Sequence, residues 1–67
     1  MYDKLKEEMK RQGISGYKLA KLADISAPDF YTSLNGKKPF YPNWRKRIAE
    51  ALGVDEADLF DDEGERG

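Results

Sequence analysis

The residues best equipped for chemistry are basic and aromatic, and they lie together: after Gly36 the chain reads KKPFYPNWRKR. Lys37 and Lys38 project from a Pro-bounded loop, where two ammonium groups can meet a phosphate, and Pro42 marks the next helix start. Arg45, Lys46 and Arg47 follow on a helix and cannot share one direction, so at most one or two of them can join the lysines. Trp44, Ile48, Ala51 and Leu52 repeat at i, i+4, i+7 and i+8, which reads first as a buried face. Phe40 and Tyr41 either cover that core or form an exposed patch used by a partner. A second place for an anion lies earlier in the chain. Ser15 reads as a helix N-cap, and the first amides behind it, at Gly16, Tyr17 and Lys18, lack intrahelical acceptors and can meet a phosphate oxygen; the Tyr17 hydroxyl can reach the same group. This is the chemistry of non-covalent polyanion recognition.

Covalent chemistry is poorly provided for. The chain has no cysteine and no histidine, so thiol chemistry and the usual zinc-site patterns have no ligands. Ser15, Ser26 and Ser33 have no imidazole to activate them, and the first two are explained as helix caps. No catalytic residue, cofactor or metal is expected, and the chain reads as non-enzymatic. Its net charge of −1 conceals an asymmetry. Residues 1–54 hold eleven Lys or Arg against six Asp or Glu, whereas residues 55–67 hold one against seven. A basic body can steer toward a polyanion while an acidic tail moderates non-specific contact. The start MYDKLKEEMK lacks the apolar core of a signal peptide and no run approaches transmembrane length, so no membrane association and a cytoplasmic location are expected.

These groups must be positioned by short helices. Apolar faces separated by terminators predict helices near 3–12, 16–23, 27–34, 43–52 and 56–60, ended at Gly13, Asp24, Gly36 and Gly53. Leu5 and Met9 form the inner stripe of the first helix, with Tyr2 beside them. Leu19, Ala20, Leu22 and Ala23 form the apolar face of the second, whose alanines allow close helix crossing. Asp24 stands where the following turn needs a left-handed residue, Ile25 plugs the turn, and Ser26 caps the third helix with Asp29 at capping-box spacing. Pro28 sits in the first turn, and Phe30 and Leu34 give one buried edge. Leu59 and Phe60 either close the base of the domain or face a second subunit. Residues 1–60 therefore read as one domain and 61–67 as an acidic, disordered tail.

The stretch YKLAKLADISAPDFYTSLNG is a helix-turn-helix pattern. With Leu19, Ala20, Ala23, Ile25, Ser26, Asn35, Gly36, Lys37 and the closing Ile48, Ala49, Ala51, Leu52, Gly53, Val54, it resembles the lambda-repressor-like (Cro/C1-type, XRE) family of small phage and bacterial regulators over roughly residues 3–60. The resemblance implies an all-α, compact five-helix domain that binds double-stranded DNA sequence-specifically. It places Ala27, Pro28, Tyr31 and Thr32 at base edges in the major groove and Asn35 near the backbone. Ala27, Pro28 and the Thr32 methyl can touch thymine methyls, Tyr31 and Thr32 can hydrogen-bond, and Asp29 can accept from cytosine if released from capping. Two departures stand out: Gly16 replaces a usual glutamine, and Ser33 a usual large aliphatic residue, for which Leu34 and Trp44 are the expected compensation.

The expected function is thus a small phage or mobile-element transcriptional repressor or related regulator. A homodimer on DNA is expected because one reading helix covers only a few base pairs, with Leu59 and Phe60 as the candidate interface. The alternative is a protein-binding module on the same fold, in which Tyr31, Phe40 and Tyr41 contact another regulator.

Overall fold

Four residues in left-handed backbone conformation end the four helices that build the domain: Gly13, Asp24, Gly36 and Gly53, with φ of 66°, 59°, 82° and 73°. In the computed structural model, which describes residues 2–60, these helices are α1 (Asp3–Gln12), α2 (Gly16–Leu22), α3 (Ala27–Leu34) and α4 (Pro42–Leu52). A fifth helical segment, α5, covers residues 56–60, and no strand occurs among the described residues. The expected acidic tail, 61–67, lies outside them. The all-α five-helix architecture therefore stands as expected, with α2 one residue shorter and α4 starting one residue earlier.

The turn between α2 and α3 is built by the backbone. Asp24 N–H donates to the Lys21 carbonyl (3.1 Å) and Ile25 N–H to that of Ala20 (2.8 Å). This double closure needs a left-handed residue at Asp24, and a short polar side chain tolerates that at modest cost. Ile25 then drops into the core. Ser15 and Ser26 both cap as expected: the Ser15 hydroxyl accepts from Lys18 N–H (3.1 Å) and that of Ser26 from Asp29 N–H (3.2 Å). α1 starts differently, from Tyr2 in left-handed conformation (φ 59°), with Asp3 as its first helical residue.

Phe40 is the hub of the core. It is fully buried, although it belongs to the α3–α4 loop, and it meets the rings of Tyr2 (4.9 Å), Phe60 (5.4 Å) and Phe30 (5.7 Å). Edge-to-face and tilted pairs of this kind add roughly 0.5–1.5 kcal/mol each beyond area burial. Phe30, Leu5, Leu19, Ile48 and Leu59 are fully buried with Phe40. Ser33 explains how a loop residue reaches the centre. It is buried on α3 and its hydroxyl donates to the Pro39 carbonyl (3.1 Å), so a small polar side chain admits the loop where a large aliphatic one would exclude it. Phe40, rather than Leu34 or Trp44, supplies the missing volume; those two are only partly buried. On the other side of the loop, Arg45 Nε donates to the Phe40 carbonyl (3.0 Å), which ties the start of α4 to the buried loop residue.

Two further expectations are corrected by the packing. Leu22 is 56% exposed and not part of the α2 core face, which consists of Gly16, Leu19, Ala20 and Ala23; at 100° per residue these four fill one arc and Leu22 falls outside it. On α4, Ala49 joins Ile48 and Leu52 in the core, while Ala51 and Trp44 stay at its edge. Leu59 and Phe60 are buried against their own chain, which is the base-closing alternative.

Candidate nucleic-acid interface

α3 presents its outer side as a narrow strip. At 100° per residue, Phe30, Ser33 and Leu34 point inward, while Pro28, Thr32 and Asn35 share the opposite direction, with Tyr31 on one flank and Asp29 on the other. Specific contacts shape this strip. Thr32 Oγ1 donates to the Pro28 carbonyl (2.7 Å), which commits its proton to the helix and leaves the oxygen outward as an acceptor. Pro28 has no N–H to offer. Asn35 ends the helix, and Lys37 N–H closes the Gly36 turn on the Thr32 carbonyl (3.0 Å), fixing the root of the lysine loop to α3.

The flanks tie the strip to its neighbours. On one side, Tyr31 is 42% exposed, packs edge-on against Phe30 (5.8 Å) and covers Gly16 at the start of α2. On the other side, Lys38 Nζ meets Asp29 Oδ1 at 3.1 Å and lies 5.8 Å from the centroid of Trp44, whose ring stacks edge-on with Tyr41 (4.7 Å). The Lys38 ammonium, and secondarily the Ser26 hydroxyl, hold the Asp29 carboxyl below its ordinary pKa. Asp29 thus spends its carboxylate on the loop lysine as well as on its cap.

The phosphate-facing candidates divide. Tyr17 and Lys18 are exposed at the start of α2, with the Lys21 ammonium 5.9 Å from the Tyr17 ring. The Lys18 amide is occupied by Ser15, and Gly16 is buried beneath Tyr31, so two of the three amides expected to face an anion are engaged or covered. Lys37 is exposed, and its side chain forms no ion pair among the described residues; Lys38 is paired. Ala27 is half-buried at the helix start. Contacts of Tyr31 with α2 and of Lys38 with α3 bring the first turn of α2, the outer strip of α3 and the following loop into one neighbourhood.

Sequence periodicity does not reveal three of these links: Tyr31 over Gly16, Lys38 to Asp29, and Arg47, whose Nη1 lies 3.9 Å from Asp24 Oδ2 and so connects α4 to the helix-turn-helix turn. A glycine at a helix start where a side chain is usual was the one available signal, for the first of them. No helix among the described residues is long and apolar enough to cross a membrane, and no group of three carboxylates among them could hold a metal ion.

Comparison with known proteins agrees with this geometry. No curated protein and no solved structure matches the chain. A family model for the Cro/C1-type HTH DNA-binding domain matches residues 4–65, nearly its whole length. With buried Ala20 and Ala23 on the α2 side, an aspartate-closed turn and an outward α3 strip, the chain belongs to the Cro/C1-type helix-turn-helix DNA-binding family.

Proposed function

We propose that this protein is a sequence-specific repressor of transcription, of the small kind carried by phages and mobile elements, which lays α3 in the major groove of double-stranded DNA. Ala27, Pro28, Tyr31 and Thr32 face base edges; Tyr17, Lys18, Asn35, Lys37 and Lys38 face the backbone, with Ser15 and Gly16 shaping the α2 end beside them. The observation that carries the reading is the outer strip of α3, where Pro28, Tyr31 and Asn35 are exposed and Thr32 half-buried, with exposed Lys18 on α2 and exposed Lys37 on the following loop. Most phosphate contacts contribute affinity without sequence information, and the strip supplies the discrimination. The protein-binding alternative is weakened at its anchor, because Phe40 is in the core and only Tyr31 and Tyr41 remain outside.

Two copies on a symmetric operator follow from the short reach of one reading helix. The surface around the end of α4 and α5 remains the candidate contact, through what covers Leu59 and Phe60 rather than through those buried side chains. Selection of bound duplexes from a random pool, then fluorescence titration at several salt concentrations, tests the function. Enrichment of a defined sequence with salt-dependent affinity supports it, and no enrichment together with no binding at low salt overturns it. Analytical ultracentrifugation with the enriched duplex reads the stoichiometry.

A further inference from the structure

We propose that Asp29 is a specificity-determining residue that acts through Lys38: on unselected DNA it keeps the lysine off the phosphates, and on a preferred site it gives the lysine up. The proposal rests on the DNA-binding reading above. Asp29 is the sole acidic residue of α3 and stands on the flank of its outer strip, where a bare carboxylate would repel the backbone of any duplex. It is not bare. Lys38 Nζ sits 3.1 Å from Oδ1, and the lysine is drawn in further toward Trp44, leaving its side chain only 33% exposed. Neighbouring Lys37 has no such tie among the described residues and remains exposed.

A phosphate approaching Lys38 must therefore replace an ion pair that already exists, so the exchange gains little and random DNA receives one backbone contact fewer than the number of lysines suggests. A base amino group alters the balance. Cytosine N4 or adenine N6 in the major groove can donate to the Asp29 carboxylate, which is acceptor-only when ionised. The carboxylate then has a second donor, its hold on Lys38 weakens, and the ammonium can move to a phosphate. Base recognition and backbone affinity become coupled at one residue pair, and the gain goes to the correct site.

The experiment compares wild type, Asp29→Asn, Lys38→Ala and the double variant on the selected duplex and on a random duplex, across salt concentrations. Asp29→Asn keeps the side-chain shape and the backbone N–H that Ser26 accepts, and circular dichroism verifies folding. On random DNA, Asp29→Asn is expected to bind about three- to tenfold more tightly and to steepen the slope of log affinity against log salt by roughly 0.9, the value of one phosphate contact. On the selected duplex it gains nothing or loses, so the ratio between the two falls. In the Lys38→Ala background the substitution only relieves the repulsion of an unpaired carboxylate, so its gain on random DNA is smaller and comes without the added phosphate contact that Lys38 makes once released. A gain and a change of slope as large in that background as in wild type would mean simple charge repulsion and overturn the proposal, as would an unchanged slope for Asp29→Asn itself. If wild type selects a sequence and Asp29→Asn behaves identically, only the role of Asp29 falls; if neither protein binds any duplex at low salt, the DNA-binding reading falls with it.

Discussion

A Cβ built on Gly16 would stand 2.7 Å from the Tyr31 hydroxyl oxygen and 2.9 Å from two of its ring carbons, so the first residue of α2 and the middle of α3 form one packing unit. A ring contributed by α3 fills the space in front of Gly16 at the start of α2. The hydroxyl is thereby held at the junction of the two helices, and the backbone of Gly16 is buried beneath it.

Gly16→Ala should displace Tyr31 rather than unfold the protein. The clash falls on the far end of a half-exposed side chain, and alanine in a helix gains roughly 0.5–1 kcal/mol over glycine. The thermal midpoint should therefore stay within a few degrees of wild type, given about 4–8 °C per kcal/mol in a domain of this size. Sequence preference should shift in the same direction as in Tyr31→Ala, where the ring is removed outright, and adding Gly16→Ala to Tyr31→Ala should change nothing more. Unmoved Tyr31 ring signals by NMR in Gly16→Ala would count against the packing unit.

Phe40→Ala should be among the most damaging substitutions in the chain. It removes a fully buried ring that touches three others, and losses for such changes run to roughly 3–5 kcal/mol. A domain this small has little stability in reserve. Urea denaturation should show a largely unfolded variant at 25 °C, whereas Tyr41→Ala, one residue on and 45% exposed, should cost under about 1 kcal/mol. Equal effects at the two positions would refute the assignment of Phe40 to the core.

These cases show what a sequence can and cannot disclose here. Helix ends are legible because left-handed backbone is confined to a few residue types, so Gly13, Asp24, Gly36 and Gly53 mark them one by one. Caps at Ser15 and Ser26 are legible for the same local reason. Phe40 is not, because periodicity reports which residues of a helix share a face and says nothing of a loop residue let in by a small neighbour on another element. The Asp29 to Lys38 pair spans nine residues and a turn, beyond the i, i+3 or i+4 spacing by which helical ion pairs are recognised. Leu22 misleads for the converse reason: it is apolar, but the arc that α2 buries is already filled.

Asp29 should titrate below the ordinary carboxylate midpoint of about 3.9. Lys38 first, and Ser26 second, favour its charged form in the folded state. The sign follows: a folded-state pKa below the unfolded value contributes stability that is complete above the unfolded pKa and is lost as pH falls through the folded one. Because the pair is solvent-accessible, high salt should shrink the effect. NMR titration of the side-chain carboxyl should find the midpoint moving upward in Lys38→Ala, with a smaller upward movement in Ser26→Ala. A midpoint indifferent to Lys38 would show that the ion pair is not populated in solution.

Thr32 separates the two ways in which the outer strip can read a base. Its proton is held by the Pro28 carbonyl at 2.7 Å, so toward DNA the side chain offers an acceptor oxygen and a methyl group and no donor. Thr32→Val keeps the methyl and the volume while deleting the acceptor; Thr32→Ser does the reverse. Deleting one hydrogen bond of about 1 kcal/mol corresponds to roughly a fivefold loss. Thr32→Val should therefore lower the selected-over-random ratio about fivefold or more, and Thr32→Ser should lower it less, provided the oxygen meets a cytosine or adenine amino group. Neither change should alter the salt slope, because no phosphate contact is removed. If Thr32→Ser is instead the more harmful of the two, the methyl does the reading and thymine occupies that position of the site. Equal losses on selected and random duplexes from either substitution would remove Thr32 from the reading strip altogether.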